Sequence, residues 1–104
     1  MTLPVNERMN SIRSRSGVLK ETAERLADTI VNPESRTWAL RQISNHLSDV
    51  ENTVLPFALR ASSVFWAWRW LDIADFQLQL AAGRLKEVQG AVEKYGPTFE
   101  LVGL

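Results

Sequence analysis

Asp72 and Asp75 follow directly on three tryptophans, Trp66, Trp68 and Trp70. A carboxyl group set beside buried aromatic rings is disfavoured in its charged form, so its pKa rises and it can serve as a general acid or base. No nucleophile, second base or oxyanion-stabilising group accompanies the pair. Capping a partner's positive charge or facing water accounts for both aspartates equally well. A second candidate chemistry is phosphate recognition by Arg8, Arg13, Arg15 and Lys20, which run without an intervening acid from Glu7 to Glu21 and alternate with Ser11, Ser14 and Ser16. The run lacks the aromatic interleaving of a nucleic-acid groove, and a solvated helix face is the reading adopted. His46 is the one histidine and cysteine is absent. This excludes the two-histidine sites of di-iron bundles, thiolate catalysis and cysteine-ligated metals, so neither a metal nor a cofactor is expected.

Arg41 and His46 offer a third possibility. The segment Arg41-Gln-Ile-Ser-Asn-His46 resembles, over six residues, the R-x4-H spacing of the HEPN ribonuclease family. That resemblance implies a small helical bundle in which Arg41 and His46 act on a phosphodiester. The family usually has a smaller polar residue than Gln42 after the arginine and carries the motif on a later helix. A solvent-facing His46 is the reading preferred. Finally, Trp66, Trp70 and Phe76 could line a cavity for an aromatic or apolar ligand, although aromatic residues at helical spacing more commonly form a core or an interface.

The elements that would position these groups are helices. Val64, Ala67, Leu71, Ala74, Leu78, Ala81, Leu85, Val88, Val92 and Tyr95 succeed one another at steps of three and four, the spacing of one helix face. The Trp-x-Trp-x-Trp alternation has the period of a strand, but the helical stripe passes through it in register. Ser62 or Ser63 can cap this helix, and Gly96-Pro97 can end it. Val5, Met9, Ile12, Ser16, Leu19, Ala23, Leu26 and Ile30 form a similar seam in a first helix. Ser16 and Gly17 make a bend or local fraying plausible at its middle. Asn32-Pro33-Glu34 combines a good N-cap, a proline in the first turn and an acid at the positive end of the dipole, so a second helix starts there. Its seam is Leu40, Ile43, Leu47, Val50, Val54 and Phe57, with a kink expected at Pro56 and a turn over residues 60–63.

Length and charge bound the function. A chain of 104 residues is enough for one domain, and twelve basic residues balance twelve acidic ones. No global field favours nucleic acid, and nucleic acid is not an expected partner. The most hydrophobic window, residues 54–71, contains Arg60 and Arg69 and precedes Asp72 and Asp75, so no transmembrane span is expected. A helix lying on a lipid surface usually has a strongly cationic opposite face, and here that face is mixed. The absence of cysteine and of an export signal fits a cytoplasmic location.

The sequence thus predicts an all-α, elongated antiparallel bundle of three helices, about 3–31, 34–60 (kinked at Pro56) and 63–95. Residues 1–97 form one domain, and the apolar tail 98–104 folds back over the bundle or docks on a partner. Gly83 and Gly90 lie away from the seam of the last helix, where glycine is useful only if another backbone approaches. The last helix also carries a second apolar line, Trp66, Trp70, Ile73, Phe76 and Leu80, for which a three-helix chain has no cover. The function expected from this is a non-enzymatic scaffold or adaptor. It would form a homodimer, with a two-fold axis near Ile73, or bind another protein through that face.

Overall fold

The computed structural model describes residues 3–96 and 98, with side chains from residue 5 onward. The helices are α1 (Leu3–Asp28), α2 (Pro33–Asp49), a π turn (Val50–Val54), α3 (Leu55–Leu59) and α4 (Val64–Tyr95). No strand occurs among the described residues. With α2, the π turn and α3 following one another without a break, the architecture is three long rods, all in mutual contact. The expectation for the tail from Phe99 to Leu104 lies outside the described residues.

The ends are fixed by the expected local chemistry. The Asn32 side chain accepts hydrogen bonds from the backbone N–H groups of Glu34 and Ser35, at 2.9 and 3.0 Å. Ser63 does the same for Trp66 at 3.2 Å. Gly96 closes α4 with a φ of +80° and donates its N–H to the carbonyl of Val92. α1 ends at Asp28, three residues before the expected limit, because Thr29 and Ile30 turn back onto the carbonyls of Leu26 and Ala27. Ile30 nevertheless stays fully buried, and the Arg36 guanidinium clamps its carbonyl. At Gly17, where fraying was plausible, α1 continues unbroken.

The chain runs up, down and up. Arg8 pairs with Asp72 and Arg15 with Asp75, so α1 and α4 are parallel. The middle rod opposes both: His46 meets Gln77 while Phe57, further along the chain, meets Trp70 nearer the start of α4. The core between them holds Ile12, Ile43, Val50, Leu71 and Val88, all essentially inaccessible. Small residues of α4, Ala74 and Ala81, are equally buried and let the neighbouring helices come close. At 1.5 Å per residue, a helix of 32 residues extends about 48 Å, which sets the long dimension of a body measuring 50 × 21 × 17 Å. The radius of gyration is 16.0 Å, against about 13 Å for a compact chain of this length.

Pro56 changes the helical pattern within the middle rod. Proline has no N–H, and its ring crowds the carbonyl four residues back, that of Asn52. The turn before it widens, and the Leu55 N–H bonds to the carbonyl of Val50, five residues back rather than four. One extra residue per turn shifts the phase of everything beyond it. Leu55 and Ala58 are buried, whereas Phe57, expected on the seam, is 44% exposed.

Candidate interaction surface

The inner face of α4 is Ala67, Leu71, Ala74, Leu78, Ala81, Leu85 and Val88, all buried against α1 and the middle rod. At about 100° of rotation per residue, the expected second line must then point outward. It does. Trp66 is 53% exposed, Ile73 43%, Phe76 58% and Leu80 38%. These are large apolar side chains on one exposed helix face.

Trp70 stands apart from the other four. It is half-buried, packs on the core and stacks on Phe57 with ring centroids 4.9 Å apart and planes 18° from parallel. Phe65 takes a place that the sequence reading left empty. It is 63% exposed and meets Trp66 edge-on at 5.3 Å. The signal was available, since Phe65 and Phe76 lie eleven residues apart, close to three full turns. Two clefts lie away from this face: one of about 230 Å³ between α1 and α2, lined by Ala23, Leu40, Ile43 and Leu47, and one of about 400 Å³ between α1 and α4, lined by Val18, Leu19, Leu78 and Ala82.

The two aspartates face cations of α1. Asp75 accepts hydrogen bonds from both Arg8 and Arg15, and Asp72 accepts one from Arg8 at 2.6 Å. The Arg8 guanidinium also lies over the Trp68 ring, 4.7 Å from its centroid. Burial of the Asp75 carboxyl pushes its pKa up, but the hydrogen bonds and charge of Arg8 and Arg15 together outweigh burial and hold it below the ordinary value of 3.8. Burial likewise works against the charge of Arg8, and its two carboxylate partners reverse the effect and raise its pKa. Of the readings open for Asp75, the raised carboxyl is therefore not the one found: Arg8 and Arg15 favour its charged form. Two of the four cations in the basic run of α1, Arg8 and Arg15, are turned onto α4.

Stability should follow this pairing with pH. A carboxyl whose folded pKa lies below its unfolded one stabilises the fold fully above the unfolded value, about 3.9, and the contribution disappears as pH falls through the folded value. Urea unfolding of the wild type and of Asp75→Asn between pH 7 and pH 2 is the measurement. The variant should lose about 1–2 kcal/mol at neutral pH, and the difference should shrink in acid. A constant difference would mean that Asp75 contributes by packing alone.

Arg41 and His46 are placed on different sides of α2. Five residues on a helix correspond to about 140° of rotation. Arg41 is exposed and lines an open groove with Glu34, Trp38 and Asn45. His46 is half-buried, with its Nδ1 2.7 Å from the Gln77 Oε1 of α4, which corrects the solvent-facing reading. Among the described residues no cluster of three metal-ligating side chains occurs. No described helix is long and apolar enough to cross a membrane. Comparison with known families, curated proteins and solved structures finds no match to the chain.

Proposed function

We propose that the chain is a non-enzymatic helical module that associates with a second copy of itself through the outer face of α4, and so acts as a scaffold or adaptor, with the cytoplasm as its place of action. The observation behind this reading is the exposure of Trp66, Ile73, Phe76 and Leu80 on one side of one helix. Isolated exposed apolar residues are ordinary, but a contiguous Trp- and Phe-bearing face is what interface cores are made of. A pair of three-helix chains would bury it at the centre of a six-helix assembly. The balanced charge of the chain sets no long-range repulsion against such pairing.

Sedimentation equilibrium tests the reading. The wild type should be dimeric at micromolar concentration. Trp66→Glu/Ile73→Glu places two carboxylates from each copy in the contact and should weaken association by about 100-fold or more. Because both side chains lie on the exposed face, the helical circular dichroism of the variant should match that of the wild type. A wild type that stays monomeric at these concentrations rejects self-association.

A further inference from the structure

Resting on that reading, we propose that the two copies meet through antiparallel α4 helices in one defined register, with the two-fold axis at the level of Leu78 rather than Ile73. Exposed positions continue the outer line past the apolar residues: Arg69 lies within it, and Gly83, Glu87 and Gly90 extend it. The steps of three and four repeat every seven residues, the pattern of a helix-pairing seam. With the axis at Leu78, a residue a given number of places before it faces the residue the same number of places after it on the second copy.

The layers then match one by one. Phe76 faces Leu80, two apolar side chains at the centre. Ile73 faces Gly83, and Trp66 faces Gly90, each a large side chain against a missing one. Arg69 faces Glu87, a cation against an anion. Symmetry repeats every layer on the other side of the axis. The contact runs from residue 66 to residue 90, about 36 Å at 1.5 Å per residue. On one flank, Asp72 and Lys86 of opposite copies come level to within two residues, about 3 Å. Both are exposed.

The glycines and charges distinguish this register from its neighbours. A Cβ built on Gly83 or Gly90 meets nothing within 4 Å, so the bundle itself gives no reason for either glycine. Arg69 makes no ion pair among the described residues, and Glu87 makes only a surface contact with Arg84, at 3.1 Å. A surface pair of this kind is readily exchanged for an interfacial one. Parallel helices would set Arg69 on Arg69 and Glu87 on Glu87, which is repulsive. Moving the axis half a heptad toward the N-terminus puts Arg69 against Leu80. Moving it as far the other way puts Phe76 against Glu87 and Arg69 against Lys94.

Charge reversal reads the register directly. In sedimentation equilibrium, Arg69→Glu and Glu87→Arg should each weaken the dimer at least tenfold, because each creates two like-charge contacts, and the double variant should return to within about threefold of the wild type. The chain has no cysteine, so Ile73→Cys and Gly83→Cys chains can be mixed under mild oxidation without background. The mixture should give a disulfide between the two different chains in preference to either homodimer. A dimer in which the double reversal is as weak as the single ones, or in which Ile73→Cys cross-links to itself, overturns the register and leaves self-association intact. A monomeric wild type overturns self-association, and the register with it.

Discussion

Leu71→Ala should lower the stability of the protein by about 3–4 kcal/mol, and its midpoint of thermal unfolding by roughly 15 °C. Leu71 is 0% exposed, about two turns into α4 on the inner face that packs against α1 and the middle rod. Truncation removes the transfer free energy of three carbons and leaves a space that helices on two sides are too stiff to close. Domains of this size have a total stability of about 5–15 kcal/mol, so the loss is a large fraction of the whole. Thermal unfolding followed at 222 nm is the measurement. A loss below about 1 kcal/mol would show that the three helices relax into the space and that the core is less closely packed than its burial implies.

The opposite change next to it should also be damaging. Ala74→Leu adds three carbons at a position that is 0% exposed, one turn from Leu71 on the same inner face. Ala74 lies within the packed core, so the new side chain must adopt a strained rotamer or push a neighbouring helix outward, at a cost of about 1–3 kcal/mol. Hydrophobicity and helix propensity both favour leucine, or at least do not oppose it, so a destabilised variant isolates the effect of space. Equal or greater stability than the wild type, in the same unfolding experiment, would mean that the alanines at 67, 74 and 81 do not set the distance between helices. Combined with Leu71→Ala, the change should cost less than the sum of the two, since the added carbons can occupy the space left by the truncation.

The seams of all three rods were legible in the sequence because each depends only on neighbours three or four residues away. Met9, Ile12, Ile43, Leu47, Leu71 and Leu78 are buried as their spacing requires. Val64 and Tyr95 belong to the same stripe but are 44% and 60% exposed, because at the ends of α4 the other rods no longer cover it. Electrostatics was less legible. Asp75 and Arg15 are sixty residues apart, and no local pattern says that they meet. Once the order of helices is up, down and up, α1 and α4 must run parallel, and only then does a basic stretch at residues 8–15 fall beside the acids at 72 and 75. The cations of Asp75 come from another helix, and they decide the direction of its pKa. The place of His46 is hidden from the sequence for a similar reason: its partner, Gln77, belongs to a helix that local spacing does not mention.

The π turn has a consequence on a different helix from its own. By carrying one residue more than an α turn, it rotates Phe57 out of the core and into reach of Trp70, and the resulting stack takes Trp70 from the outward line of α4. The make-up of the exposed apolar face therefore depends on the count of residues between Val50 and Pro56 as well as on the side chains of that face. A substitution within the face alters one contact. Gaining or losing one residue in the π turn would reset the phase of α3 and so change which aromatic rings are presented to solvent, making chain length a heritable variable of this surface in its own right.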